Sequence, residues 1–393
     1  MIPSRNLARR PLRRFFVFLP VLFLIFILKT DAGAAVLLLP SLSISEEYDD
    51  NFLFSENNRT GEFTTTLSPL LTLRYANRYV ILDTNYRGGA TYHVHHPELD
   101  GYVQNLYFDI QLPVLARTFN GVDIRITEAA DRLDELPSTP IGGAAGVGAG
   151  RGKVTRNRAS IAVGYPWSPR HKTDVTYLNT IIKYHTELIE DFVSQDIGIN
   201  ETYGLSYQLR GTAQYGVSYT RFEEGSTVTV QRVSFGGQYN ITPDLLVLGG
   251  VGSSFLSGSK PSTTYNLALS NLSHRPSFRM GYSRTLSSRE GGLSSAIVRD
   301  GMFTEGTYLF SERTSVSLRL NYSRENGLLG AAHKASDTGA TLTGGIQFLP
   351  WLSGLARYVY LLRQEDAITS STVYRNRISF TLSASDPGWK LLE

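Results

Sequence analysis

Along most of this chain apolar and polar residues alternate one by one, and no helical period lasts beyond a turn or two. Ser315 to Ser323 is the clearest stretch: Val316, Leu318, Leu320 and Tyr322 fall on one face, Ser315, Ser317, Arg319, Asn321 and Ser323 on the other. Leu106 to Leu112, Val122 to Ile126, Ala213 to Tyr219, Phe278 to Tyr282 and Ile378 to Leu382 repeat the pattern. A period of two sends successive side chains to opposite faces of a strand. The alternation predicts strands near residues 40–48, 63–75, 79–92, 103–112, 119–130, 156–165, 173–183, 198–209, 212–221, 227–240, 244–255, 263–270, 277–286, 299–310, 313–324, 337–348, 353–363 and 373–384. That is an all-β chain of about 18 strands. The apolar phase slips near Gln231 and Arg232, which predicts a bulge there.

The connections form two classes that alternate along the chain. Residues 49–62, 93–102, 131–155, 184–197, 222–226, 256–262, 287–298, 325–336 and 364–372 are mostly long and polar. Between them stand mostly short turns: Ala76-Asn77-Arg78, Arg210-Gly211, Thr242-Pro243, Glu312 and Pro350-Trp351-Leu352. Long loops on one side, short turns on the other and an even strand number are the pattern of an outer-membrane barrel. It places both mature ends on the periplasmic side, whereas a soluble sandwich or propeller gives no reason for two unlike sides.

The faces support the same reading. Charged residues are 19% of the chain, below the roughly 25% of an average soluble domain, yet mean hydropathy is only −0.14. Polytopic helical membrane proteins are excluded, because they need repeated apolar runs of about 20 residues. With 22 tyrosines and 19 phenylalanines the chain is too aromatic to be disordered. The polar faces carry Arg74, Asp83, Arg87, Asp109, Asp123, Arg125, Arg158, Arg279, Arg319, Arg357, Arg375 and Arg377. Closing about 18 strands leaves an interior too wide for side chains to fill, so a wet lumen can hold these charges while lipid takes the apolar face. Tyr48, Tyr75, Tyr79, Tyr92, Tyr165, Tyr184, Tyr239 and Tyr322 lie near strand ends, as interfacial girdles require. The expected fold is a transmembrane antiparallel β-barrel of 16–18 strands occupying residues 35–393 as one domain, with 131–155 as a long extracellular loop.

Residues 1–34 read as a cleaved export signal. Arg5, Arg9, Arg10, Arg13 and Arg14 precede the apolar run Phe15 to Leu28, and Ala32-Gly33-Ala34 is a small-residue cleavage site. The run is shorter than the roughly 20 residues of a spanning helix. The chain has no cysteine, which excludes disulfides, thiolate metal sites and a catalytic thiol. Export to the outer membrane of a Gram-negative-type bacterium fits both features.

The segment Pro40-Ser41-Leu42-Ser43-Ile44-Ser45-Glu46-Glu47-Tyr48-Asp49-Asp50-Asn51 resembles the opening of the porin-like outer-membrane β-barrels associated with PEP-CTERM (exosortase) and exopolysaccharide loci, whose first strand ends in an aromatic–Asp–Asn element. Turns such as Trp167-Ser168-Pro169-Arg170, Ile241-Thr242-Pro243-Asp244 and Phe310-Ser311-Glu312-Arg313 are similar to that family's periplasmic turns. The resemblance implies an envelope barrel linked to surface polysaccharide, with Tyr48, Asp49, Asp50 and Asn51 as its motif. One departure is the tail after Phe380, which ends Trp389-Lys390-Leu391-Leu392-Glu393 where many such barrels end on an aromatic residue.

Few residues suggest chemistry beyond this. His93 and His95 would point the same way on an extended strand, but nothing fixes a third metal ligand, and a solvated loop tip with His96 is the simpler reading. Glu46, Glu47, Asp49 and Asp50 offer hard oxygens for calcium, or for bridging calcium to lipopolysaccharide phosphates, without regular ligand spacing. Asp49-Asp50-Asn51 also suits a loop start that satisfies local backbone donors. Gly142 to Lys153 is not a phosphate loop, since Val147 and Val154 stand where glycine and a hydroxyl residue are needed. No nucleophile and base are arranged together, so no enzyme, cofactor or metal is expected.

Nine of the twelve polar-face charges are arginine, which suits passage of anions. Arg87 with Asp109, and Asp109 with Arg125, are also placed to neutralise one another. The leading expectation is a pore for anionic solutes or exopolysaccharide export. The alternatives are a non-conducting barrel that docks secretion components, or a loop-based adhesin or receptor. Expected partners are outer-membrane lipid and lipopolysaccharide, the barrel-assembly machinery and polysaccharide-export components, with no nucleic acid.

Overall fold

Valine, isoleucine, threonine and aromatic residues at alternate positions fit a pleated surface with two unlike faces, and they form strands in the computed structural model. It describes residues 35–133, 154–185, 190–223, 225–257, 260–273, 275–288, 296–327, 334–366, 370–386 and 389–392. The export signal, Gly142 to Lys153 and most of the loop 131–155 lie outside the described residues. The strands are β1 (Ala35–Asp49), β2 (Glu62–Ala76), β3 (Ile81–His93), β4 (Gly101–Gln111), β5 (Asp123–Leu133), β6 (Val154–Ser168), β7 (His171–Tyr184), β8 (Phe192–Gly204), β9 (Leu209–Phe222), β10 (Thr227–Asn240), β11 (Leu245–Leu256), β12 (Ser262–Asn271), β13 (Ser277–Ser288), β14 (Ala296–Leu309), β15 (Thr314–Gly327), β16 (Lys334–Leu349), β17 (Leu352–Asp366) and β18 (Ser370–Ser385). A short helix α1 (Pro113–Thr118) links β4 to β5.

Each strand pairs antiparallel with its sequence neighbours, and β18 returns to β1, giving a closed 18-strand barrel. Closure removes the edge strands whose unpaired N–H and C=O groups lipid cannot satisfy. The closing seam runs from Ser41 opposite Ser385 to Asp49 opposite Arg377. Beyond Asp386 the chain adds β19 (Trp389–Leu392), which pairs with the start of β1. The chain's tail thus extends the seam past the end of β18.

Side-chain polarity sets the turns. In short connections the first polar residue accepts from backbone N–H groups ahead of it. Asn77 Oδ1 takes Tyr79 N at 2.8 Å and Val80 N at 2.7 Å. Ser206 Oγ takes Leu209 N at 3.0 Å, and Thr242 Oγ1 takes Leu245 N at 3.0 Å. Such turns mimic a backbone turn and hold hairpin register.

Several expected boundaries move. Strand β8 begins at Phe192 and ends at Gly204, so the turn is 205–208 while Arg210 and Gly211 belong to β9. The turn at Glu312 is 310–313. Many polar ends assigned to long loops, among them Asp131, Glu325 and Glu365, are strand residues. Polarity misplaces them because inward positions on these strands stay polar up to the rim. No bulge occurs at Gln231–Arg232: β10 stays in unbroken register with β9 and β11. There the apolar side chains Val228 and Val230 change face, and the backbone does not slip.

Candidate pore lining and its in-folded hairpin

Register fixes which face each residue presents, because pairing carries one parity around the whole barrel. Leu318, Leu320 and Tyr322 are exposed on the outward face of β15. Following the pairs from that strand, all twelve charges singled out from the sequence fall on the inward face. Tyr184 also points inward, packed on a buried apolar cluster, and does not join the outer girdle.

Some of these charges are neutralised. Arg125 embraces Asp109 through Nε to Oδ1 at 2.9 Å and Nη2 to Oδ2 at 2.5 Å. Arg87 does not share that carboxylate, because register puts it opposite Asn105 while Asp83 faces Asp109. Arg74 instead pairs with Asp83 at 3.0 Å. Arg375 holds the buried Asp49, and Arg377 lies 3.7 Å from Glu47. Arg279 lies over the Phe303 ring at 5.4 Å. No ion pair engages Arg87, Arg158, Arg319 or Arg357 among the described residues.

The lining arginines are not spread evenly. Arg319, Arg357, Arg375 and Arg377 line one hollow of about 280 Å³ on the inner wall of β14–β18, whose lining carboxylate is Glu305. Across the lumen the inner wall of β8–β12 is nearly uncharged: Asn200, Gln214, Gly216, Ser234, Ser254 and Thr264 line a hollow of about 600 Å³ with Arg232 as its cation. One wall is cationic, and the other offers hydroxyls, amides and bare backbone.

The rim where β1 leaves for β2, hereafter the long-loop rim, carries inward charges that sequence reasoning left in loops. Arg363 contacts Asp337 at 3.3 Å and Glu365 at 2.6 Å, Arg299 holds Glu325, and Arg156 grips Asp131. Asp337, Glu325, Glu365 and Arg363 are buried. Burial makes mutual pairing obligatory, since an isolated buried charge costs several kcal/mol. These groups are therefore committed to one another. Alternation continued past the expected strand ends, as in Asp337 and Ala335 or Arg363 and Glu365, was the available signal.

At the same rim the lumen is narrowed by apolar packing. Val154, Ile182, Phe192, Phe222, Val228, Val230 and Leu256 are inward and buried together. Leu286 and Val298 join them, although their parity is that of the outward residues Tyr282 and Met302 lower on the same strands. The geometry follows from pairing. Strand β12 pairs with β13 only up to Tyr265–Arg284, whereas β11 pairs with β12 up to Ser254–Ser262. Freed from β12, the end of the β13–β14 hairpin turns into the barrel and lays its outer face on the inner wall of β6–β11. Arg232 Nη2 reaches the Leu286 carbonyl at 3.3 Å. The expectation that every apolar face meets lipid is corrected here: nine apolar side chains pack inside the barrel mouth.

The motif Tyr48-Asp49-Asp50-Asn51 sits on the closing seam. Asp49 accepts from Arg375 Nε at 2.7 Å and from Asn51 N at 3.1 Å. Asp50 receives both Asn376 N and Asn376 Nδ2 at 2.6 Å. Asn51, fully buried, donates to the Tyr374 carbonyl at 2.9 Å and to the Ser55 carbonyl at 2.8 Å. Tyr48 packs outside against Phe63 at 4.7 Å. The three polar residues thus clasp the first strand to the last. His93, His95 and His96 lie nearby: His93 bonds Asp100, His96 bonds Glu98, and the buried Glu62 accepts the His95 backbone N–H with its carboxylate 3.6 Å from the His95 ring and 4.0 Å from the His96 ring. Among the described residues no three potential metal ligands converge.

No protein-family model matches the chain, and no curated protein matches it in sequence. Solved structures match its fold. Pseudomonas aeruginosa OccK2 (OpdF) aligns with TM-score 0.51 and 10% identity over 89% of this chain and 98% of that one. The outer membrane protein opdK from Pseudomonas aeruginosa aligns with TM-score 0.50 and 11% identity over 89% and 99%. At such identity the likeness is one of fold alone, a β-barrel matched over nearly the full length of those chains.

Proposed function

We propose that this protein is a porin-like channel of the outer membrane that passes anionic solutes along the arginine-bearing wall of β14–β18. The carrying observation is the hollow where Arg319, Arg357, Arg375 and Arg377 meet, with Arg319 and Arg357 unpaired. Lumen charges set ion preference in barrels of this type, and a cationic lining lowers the barrier for anions. The in-folded hairpin packs on the wall of β6–β11, so a solute entering at that mouth is steered toward the arginines. The long-loop rim faces outward from the cell in this reading, with both chain ends in the periplasm. An exopolysaccharide role rests only on the resemblance of Pro40 to Asn51, and the structural neighbours add no support to it.

Planar-bilayer recording tests the reading. The wild type conducts and prefers anions, and Arg319→Glu with Arg357→Glu moves the reversal potential in a salt gradient toward that of cations. Unchanged selectivity in the double variant refutes the arginine path. Absence of conductance in the wild type and in hairpin variants favours a non-conducting barrel.

A further inference from the structure

The outer wall of the barrel carries a site unrelated to the lumen. On β15–β18 the outward face is uncharged from the short turns up to Tyr322 and Tyr374: Leu320, Leu318 and Val316 on β15, Ala340, Leu342 and Ile346 on β16, and Ile378, Phe380 and Leu382 on β18. From Thr314 to Tyr322 this is close to the roughly 9–11 residues a tilted strand needs to cross a bilayer. Exposed Tyr322 and Tyr374 end the apolar zone, as interfacial aromatics do.

One residue pair higher the chemistry changes at once. Arg324, Ser336, Gln364 and Thr372 stand on successive strands along a single register row, all facing outward. Lys334 lies one step above, opposite Asn326. Tyr322, Arg324, Lys334, Ser336, Gln364 and Thr372 line a hollow of about 350 Å³. Neither Arg324 nor Lys334 makes an ion pair among the described residues. Arg59, from the loop after β1, lies 3.1 Å over the Tyr374 ring beside the same row. Each cation stands opposite an acid in register, Arg324 opposite Asp300 and Lys334 opposite Asp366. Asp300 is engaged by Tyr282 at 2.9 Å and Arg284 at 3.7 Å, Glu365, which also lines the hollow, by Arg363, and Glu56 accepts from Thr372 N at 3.2 Å.

We propose that this hollow binds a phosphate group of lipopolysaccharide lipid A, with Arg324 and Lys334 as cations and Ser336, Gln364 and Thr372 as neutral donors. The chemistry is complementary at each point. A cation held just beyond the aromatic line lies at headgroup depth. Phosphate offers several acceptor oxygens to charge-assisted donors, and the acyl chains meet the apolar face below. The site is independent of what the lumen conducts.

Native mass spectrometry tests it, with full-length protein in detergent offered bis-phosphorylated lipid A, dephosphorylated lipid A or inorganic phosphate. Wild type retains bis-phosphorylated lipid A and releases the dephosphorylated form. Arg324→Gln with Lys334→Gln weakens retention about twenty-five-fold, a factor of five for each cation near an anionic headgroup. Both positions are exposed, and a heat-modifiable gel band verifies folding. If the double variant does not fold, each single substitution is read in its place, with about a five-fold loss expected. Equal retention by the variant, or equal binding of dephosphorylated lipid, overturns the proposal. Displacement of lipid A by inorganic phosphate in excess shows a simple anion site and overturns it as well.

Discussion

Removing Asp49 tests whether the first-strand motif closes the barrel. The Asp49 side chain is 1% exposed and that of Arg375 5% exposed. Asp49→Ala strips Arg375 of its carboxylate and leaves the Asn51 N–H without its acceptor at the seam. Breaking a buried pair from one side costs about 3–5 kcal/mol, and an orphaned buried donor adds about 1–3 kcal/mol when the costs are independent. They share one carboxylate, so we expect a total of about 4 kcal/mol. Arg375→Met in the Asp49→Ala background should recover part of the loss, because no unpaired charge then remains buried. The comparison is Arg74→Met, whose pair with Asp83 is far more exposed (60% and 37%) and should cost under about 1 kcal/mol. Urea unfolding of barrels reconstituted in lipid, followed by tryptophan fluorescence and by loss of the compact gel form, measures both. If Asp49→Ala costs no more than Arg74→Met, the seam is held by backbone pairing alone and the clasp is refuted.

Other outcomes follow from the same geometry. Leu286→Asp places a carboxylate in the apolar cluster, a burial costing several kcal/mol. The hairpin should leave the lumen and single-channel conductance should rise, while Leu286→Met, within about 1.5 kcal/mol of neutral, leaves it unchanged; equal conductance in both refutes the occlusion. Phe222→Ala empties part of that cluster and should destabilise by about 3–5 kcal/mol in the same unfolding assay, whereas a loss under about 1 kcal/mol would mean that the cluster is solvated. Asp50→Ala removes both bonds to Asn376 and should lower the temperature at which the compact gel form disappears, with Tyr48→Phe as the neutral comparison.

Much of the architecture was legible along the chain because a barrel wall is a local object. Side-chain direction alternates with every residue, and lipid and water impose opposite demands on the two faces. A strand such as β15 therefore writes its own orientation as Leu318, Leu320 and Tyr322 against Ser317, Arg319 and Asn321. The twelve polar-face charges could be placed on one side for the same reason. Strand ends were less legible where inward positions stay polar, as at Asp131 and Glu325, because a polar strand end and a polar loop look alike.

Partnership around the ring was beyond the sequence. Whether Asp109 meets Arg87 or Arg125 depends on inter-strand register, and Asp49 meets Arg375 across more than 300 positions of chain. The change of face at Val228 and Val230 reads as a slipped strand until the mouth of the barrel is seen to be packed with apolar side chains. The same holds for Leu286 and Val298, whose local pattern points to lipid. Alternation determined that this chain has two faces and how many strands carry them. The closed ring alone decided which charges cancel, which arginines remain free and which apolar residues turn away from lipid, because those outcomes depend on distances between strands far apart in the chain.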